Sequence, residues 1–412
     1  MPGRARTRPR AAPRYRGAVA RLDVRGALRA AQSVPESVPD VVVDLGGGLG
    51  ATDVTLYLVD FAQTVLQPVP GRSIHPDVPE AEGVASSMAG RAFTDGTATT
   101  AERSDGTRVW VPVVEGSDRT GVLALTVPEA DDAVLAMCED LGLLTGYLLA
   151  TQARTTDVYN LHRRRRSLSL AASMQWDLLP PLVLKTARLT VAGILEPAYE
   201  VGGDCFDYAL NHHVLDVAIV DALGHGVSSS LIAALALGSY RHDRREGRSL
   251  DVIHTRLDQA IAANFPDFAF ATGQAARLDV ETGAMTWTNA GHPLPLLIRG
   301  GRVVAELTCR PTPPWGLGAT FGPTIEPTVA SVELEPGDGV LFYTDGVIEA
   351  HATGAEPFGV DRLRDLVGRH ASDQLEPEET LRHLVAAVLD YQDAQLADDA
   401  TLLLVQWNGP PS

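Results

Sequence analysis

Four acidic clusters, each beside an apolar stretch with strand character, constrain this 412-residue chain more than any other feature. They are Gly202-Gly203-Asp204-Cys205-Phe206-Asp207, Asp221-Ala222-Leu223-Gly224-His225-Gly226, Tyr343-Thr344-Asp345-Gly346 and Ala397-Asp398-Asp399-Ala400-Thr401. Each reads as a place where a strand ends in a turn. A single Asp-Gly pair is ordinary turn chemistry, since Asp bonds nearby backbone and Gly accepts positive φ. Four of them behind apolar strands predict that carboxylates from distant segments converge on one point. Carboxylate oxygens, backbone carbonyls and water are the shell preferred by hard cations such as Mg²⁺ and Mn²⁺. Two such ions a few ångströms apart can activate a water and clamp a phosphoryl group for displacement.

The stretch from about 186 to 408 alternates apolar strands with acidic turns around two central helices. Strands are expected at Leu189–Leu195, Val214–Val220, Phe268–Asp279, Met285–Asn289, Leu294–Arg299, Ser331–Leu334, Val340–Thr344 and Ala400–Gln406. Helices are expected at Ser228–Glu246, Leu250–Asn264, Val360–His370 and Glu378–Ala394. That inventory fits an α+β fold in which two antiparallel sheets form a β-sandwich flanked by helices.

At this point a resemblance becomes specific. The series VGGDCFDY, VDALGHGVSSSLIAAL, FATGQAARLDVETGAMTWTNAGHPLPLLI, EPGDGVLFYTDGVIEA and DDATLLLVQ resembles, in order, the metal-dependent protein phosphatase (PPM) family. More narrowly it resembles the bacterial branch typified by the stage II sporulation phosphatase E and the stress-response phosphatases of partner switching. The preceding MQWDLLPP is similar to that branch's entry motif. The resemblance implies two metal ions, Mn²⁺ or Mg²⁺. Asp221 would bridge both, and the carbonyl of Ala222 would ligate one. Asp204 would serve the second ion, with Asp207 close by through water. Asp345 and Asp398 would complete the ligand set of the first ion, while Asp399 would orient water or pack. Gly224 and Gly226 would allow the tight turn before the helix near Ser228. His225 would either brace that turn or donate a proton to the leaving serine. Asn289 and His292 would stabilise a turn under the site.

The implied activity is hydrolysis of phosphoserine or phosphothreonine on a protein by a metal-activated water, with no covalent phosphoenzyme. The implied substrate is a phosphorylated anti-anti-sigma-type regulator, which would place the chain in sigma-factor control. Two rivals remain: a non-catalytic regulator of the same fold, and a hydrolase of small phosphate esters.

Ahead of this region, residues 37–150 read as a first unit. Val41, Val42, Val43 and Leu45 make an apolar helical stretch that stops at glycines 46–48; strands follow at Val54–Val59, Arg108–Val114 and Gly121–Val127, and a helix at Asp132 to about Gln152 closes it. The order, with the hairpin VPVVEGSDRTGVLALTV near the end, resembles a GAF domain. That implies an α/β sensor for a small molecule or protein signal, or equally a structural or dimerising unit without ligand. Residues 151–182 are expected as a helical linker whose stripe of Leu161, Leu168, Leu170, Met174 and Leu178 ends at Pro180-Pro181. A homodimer could form through that helix. Arg163 to Arg166 are expected as a solvated face.

Bulk properties limit the remaining classes. The net charge is −18, yet residues 1–16 carry six arginines and no acid, so the body is more acidic still. That disfavours a nucleic-acid partner, and residues 1–36 are expected as a disordered basic tail. No run of eighteen apolar residues suggests a membrane span. Three scattered cysteines fit a reducing compartment, and cytoplasm is the expected location. Cysteine phosphatases need Arg six positions after Cys, but Cys138, Cys205 and Cys309 are followed there by Leu144, Asn211 and Trp315. His212-His213 and His225 match no common zinc spacing.

Overall fold

The computed structural model describes residues 22–71, 80–196, 199, 202–265, 269–320, 325–351, 356–372, 375–392 and 399–410. Strict alternation along residues 53–59 sends Val54, Leu56 and Leu58 to one side of a strand and Tyr57 and Val59 to the other, and both sides are covered. The first unit runs α1 (Val24–Ser33), α2 (Val38–Gly48), β1 (Asp53–Val59), β2 (Val65–Pro68), β3 (Glu82–Gly83), α3 (Met88–Asp95), β4 (Thr99–Arg103), β5 (Gly106–Glu115), β6 (Asp118–Val127) and α4 (Asp132–Gln152). Its antiparallel sheet has the order β3-β2-β1-β6-β5-β4. Helices α1, α2 and α4 cover one face and α3 covers the other. By length and composition α4 could cross a membrane; Cys138, Leu141, Leu148 and Leu149 pack one face of it in this core, and Leu143 and Tyr147 stand exposed on another.

From residue 22 on, the expected tail is structured. Asp23 caps α1 by accepting from the Gly26 N–H at 2.9 Å, and Ala27 and Ala31, one turn apart, are buried in the core. Two alanines make a close-packed contact without an apolar stripe large enough to read. Residues 1–21 lie outside the described residues.

The linker is also not one helix. It consists of α5 (Val158–His162) and α6 (Leu170–Leu178), interrupted over residues 163–169. Leu161 and Leu170 stand exposed instead of forming a packed stripe. Arg163 and Arg165 clamp this break onto the first unit, while Arg165 and Arg166 keep much of their surface in solvent, so the expected solvated face holds only in part. Arg163 donates to the Val59 carbonyl at 3.0 Å and lies 4.6 Å from the Phe61 ring centroid. Arg165 reaches Thr64 Oγ1 at 3.3 Å, and Arg166 lies 5.1 Å from the Tyr199 ring centroid. Guanidinium groups satisfy carbonyls and stack on rings at once.

The second unit runs β7 (Val183–Lys185), β8 (Leu189–Glu196), β9 (Asp204–Asn211), β10 (Val214–Ala222), α7 (Val227–Arg245), α8 (Leu250–Asn264), β11 (Ala271–Asp279), β12 (Ala284–Ala290), β13 (Leu296–Arg299), β14 (Arg302–Glu306), β15 (Ala330–Glu333), β16 (Gly339–Tyr343), α9 (Asp345–Ile348), α10 (Gly359–Ser372), α11 (Pro377–Tyr391) and β17 (Ala400–Trp407). Two antiparallel sheets, β15-β12-β11-β10-β9 and β14-β13-β16-β17-β8-β7, face each other. Phe206, Leu215, Val217 and Ile219 of one meet Val191, Phe342, Leu403 and Val405 of the other. Helices α7 and α8 cover the first sheet and α10 and α11 the second. This is the expected α+β sandwich.

The two units touch through buried polar groups. The Leu182 N–H donates to Asp118 at 3.0 Å, and Arg119 pairs with Glu378 at 2.7 Å and Glu379 at 3.4 Å. All three side chains of that cluster are largely enclosed. Arg119→Ala takes the cation from enclosed Glu378, while Glu379 keeps Arg382, so it should cost about 3 kcal/mol. Calorimetry of the variant is expected to split unfolding into two transitions; an unchanged single transition would show that this cluster does not join the units.

Candidate active site

Antiparallel pairing brings the acidic clusters together. In register, Asp221 near the end of β10 lies opposite Asp204 at the start of β9. Likewise β16 runs into Thr344 and Asp345 beside the start of β17, where Asp399 precedes Ala400. The end of one strand therefore adjoins the start of its neighbour. The expectation that every cluster ends a strand holds for Asp221 and Asp345 and fails for Asp204 and Asp399, which begin one.

Hydrogen bonds then tie the two sheets at this point. Thr344 Oγ1 donates to Asp204 Oδ2 at 2.6 Å and accepts the Thr401 N–H at 3.0 Å. Asp399 Oδ2 accepts from the N–H groups of Gly202, Gly203 and Asp204 at 3.3, 2.9 and 3.3 Å. Gly346 is required by close approach: a Cβ there would stand 1.9 Å from the Asp399 carbonyl oxygen. Asp345 opens α9 at the same junction. Asp398 lies outside the described residues.

Asp204 is 2% exposed. Burial, then the neighbouring charges of Asp221 and Asp399, push its carboxyl well above the usual range, against the pull of the Thr344 and Thr401 hydrogen bonds. Its side-chain hydrogen-bond partners are threonine hydroxyls, Thr344 at 2.6 Å foremost, and not a cationic group. Like charges gathered out of water are stabilised by a cation among them. The donor set of oxygen atoms alone fits Mg²⁺ or Mn²⁺. Among the described residues, no three His, Cys, Asp or Glu side chains already stand as a ligand cluster.

The rim is built by the turn after β10. Gly224 and Gly226 have φ of 84° and 81°, a region where a side chain would be strained, and they present His225 to solvent. Ala222 is buried, and its N–H donates to the Gly203 carbonyl at 3.1 Å. Ser229 and Ser230 of α7 donate to the Gly202 carbonyl at 3.0 and 2.7 Å. From the linker, the Gln175 amide donates to the Asp204 carbonyl. Beneath the site, Asn289 Nδ2 donates to the His292 carbonyl at 2.9 Å and Asn289 Oδ1 accepts the His292 N–H at 2.8 Å. His292 Nδ1 meets Thr272 Oγ1 at 2.8 Å, and Thr272 is the cross-strand neighbour of Asp221. Burial pushes the His292 ring down to about 3, so it braces the site as a neutral group.

Asp207 does not join this cluster. It lies three positions along β9 from Asp204, and an odd spacing on a strand points to the opposite face. There it pairs with Arg241 at 2.7 Å and Arg244 at 2.6 Å, both on α7. The water-mediated role expected for it is thus replaced by an ion-pair cluster behind the sheet. Thr344, Gln175, Ser229 and Ser230 are the positioning residues that motif reading passed over, although all lie within the stretches YTDG, MQWDLLPP and VSSS. Asp207→Ala strands two guanidinium groups and should cost about 3 kcal/mol of stability. Thermal melts and Mn²⁺ titrations separate the alternatives: an unchanged melting point with a raised Mn²⁺ requirement would return Asp207 to the cation site.

Known proteins resemble the second unit. Residues 211–408 match the family described as Stage II sporulation protein E (SpoIIE). The phosphoserine phosphatase RsbU of Bacillus subtilis (strain 168) is 22% identical over 265 residues, covering 64% of this chain and 77% of RsbU. The phosphoserine phosphatase RsbP of the same organism is 24% identical over 194 residues, 46% of this chain and 47% of RsbP. Among solved structures, the RsbU and RsbW domains of Rv1364c from Mycobacterium tuberculosis are 24% identical, with a TM-score of 0.48 over 56% of this chain and 63% of that one. The C-terminal half of this chain is a SpoIIE-type phosphatase domain, homologous to RsbU and RsbP.

Proposed function

We propose that this chain is a serine/threonine protein phosphatase of the metal-dependent type, acting on a phosphorylated anti-anti-sigma-type regulator in the cytoplasm. The observation that carries the reading is the pairing of Asp204 with Asp221 at a junction also formed by Thr344, Asp345 and Asp399. A carboxylate set of this kind has no use in a dry core, where each charge costs free energy unless matched. Kinship with RsbU and RsbP, both named phosphoserine phosphatases, supports the substrate class.

Asp204, Asp221, Asp345, Asp398 and the Ala222 carbonyl would hold the two ions. Bound there, Mn²⁺ or Mg²⁺ supplies an activated water and neutralises charge on the phosphoryl group. The chain's own residues do the positioning. Thr344 fixes the Asp204 carboxylate, Asp399 holds the Gly202–Asp204 backbone, and the Asn289–His292 turn supports Thr272 beside Asp221. His225, exposed on the rim, can donate a proton to the departing serine oxygen. The three cysteines are buried, and burial raises the Cys205 thiol well above its usual value, which removes it as a nucleophile.

The first unit is proposed to act as a GAF-like sensor spanning residues 37–150, extended at its start by α1, with 151–182 as linker and 183–408 as the catalytic domain. Contacts of Arg163 and Arg165 with residues 59–64 and of Gln175 with Asp204 support a linker that joins signal to site.

Activity on a serine-phosphorylated anti-anti-sigma-type protein is expected to require Mn²⁺ or Mg²⁺ and to vanish with EDTA after dialysis. Asp221→Asn removes charge between the ions and should cost at least about a hundredfold in rate. It should also abolish the rise in melting temperature that Mn²⁺ gives the wild type. Asp399→Asn keeps an acceptor oxygen for the three N–H groups and should cost clearly less. Equal losses at both positions would mean the wrong aspartate has been assigned, and full turnover in excess EDTA would refute the mechanism.

A further inference from the structure

Residues 222–240, ALGHGVSSSLIAALALGSY, contain no Asp, Glu, Lys or Arg. Half of that apolar character has an evident use. Ile232, Ala233, Ala236, Leu237 and Tyr240 bury the inner face of α7 against β9, β10 and α8. The outer face has no such use. Leu223 is 49% exposed, Val227 43% and Leu231 46%. Leu235 is half-buried and Gly238 exposed further along. Val227, Leu231, Leu235 and Gly238 recur at helical spacing, so they form one strip where a solvent-facing helix ordinarily carries charge. The strip begins at the site itself. Leu223 follows Asp221 by two residues, and Val227 opens α7 directly after the Gly224–Gly226 turn that presents His225.

We infer that this strip is the docking surface for the phosphoprotein substrate, whose apolar face seats on Val227, Leu231 and Leu235 while its phosphoserine enters beside Asp221. The inference rests on the phosphatase reading and adds to it how the enzyme selects a protein over a small phosphate ester. The occupant follows from continuity with the site mouth: a body seated on the strip has its edge at Asp221, where the reacting phosphate must lie. The strip's lack of charge fits an apolar surface on that body and gives no purchase to a highly charged one. Binding energy gained this far from the phosphorus is unavailable to a small aryl phosphate.

Leu231→Gln in the full chain with Mn²⁺ tests this, with Leu235→Gln as the second variant and Leu231→Met as the conservative one. The probes are a serine-phosphorylated anti-anti-sigma-type protein and p-nitrophenyl phosphate. For the Gln variants, KM on the phosphoprotein should rise about tenfold with kcat nearly kept, the scale of an interface anchor. Turnover of the aryl phosphate should stay within about twofold, as for a surface change, and Leu231→Met should behave as wild type. Equal losses on both substrates would make the strip structural, and an unchanged KM on the phosphoprotein would remove it from recognition. A wild-type dimer that Leu231→Gln splits without moving KM would assign the strip to a second copy of the chain. Each of these three results overturns the inference. A wild type inactive on both probes refutes the phosphatase reading itself, and the docking surface with it.

Discussion

The cross-strand pair of Asp204 and Asp221 is the constraint around which the catalytic domain is arranged. Two carboxylates held side by side repel, and burial of Asp204 makes the repulsion worse. Nothing in a hydrophobic sandwich would keep them there unaided. The surrounding bonds supply what is missing: Thr344 from the opposite sheet fixes one carboxylate oxygen, and Asp399 grips three successive N–H groups of the loop that leads into β9. Asp207 and its two arginines anchor the same strand from behind. The strand bearing Asp204 is thereby held on both faces, and a cation at the front would relieve the charge that this holding creates.

The same strand receives the linker. Gln175 of α6 reaches the Asp204 carbonyl, and Trp176 packs on Phe61 of the first unit at 4.8 Å between ring centroids. Tyr199 contacts both sides, with its hydroxyl 3.3 Å from buried Asp60 and its carbonyl accepting the Ser169 N–H at 3.0 Å. Adjacent side chains thus run from the turn after β1 to the residues just before the Gly202–Asp204 loop. Arg163 and Arg165 hold that same turn, through the Val59 carbonyl and Thr64 Oγ1.

Much of this architecture was legible. Helices α7, α8, α10 and α11 carry an apolar face at helical spacing, and β10, β16 and β17 are apolar runs bounded by turns. The acidic motifs point to Asp204, Asp221, Asp345 and Asp398 as ligands with Asp399 in support; the structure brings Asp204, Asp221, Asp345 and Asp399 to one junction, and Asp398 lies outside the described residues. What escaped has physical causes. Strand β9 begins with an aspartate and carries another inside it, so DCFDYALN does not read as a strand until Asp207 is seen to face two arginines. Helix α1 packs through alanines, whose small side chains leave little pattern. The linker's leucine stripe suggested a continuous helix, whereas Leu161 and Leu170 face solvent and the arginines between them bond across to another unit. Long-range ion pairs such as these depend on which surfaces meet, and periodicity along one segment carries no record of that.

The account's central claim is that strand-end carboxylates form one two-cation centre. Anomalous diffraction at the manganese edge, from crystals of the full chain grown with Mn²⁺, tests it most directly. Two peaks are predicted, one on each side of Asp221, with one of them in ligand reach of Asp204. A lone ion elsewhere, for instance at His212-His213, or no peak between Asp204 and Asp221, would contradict it.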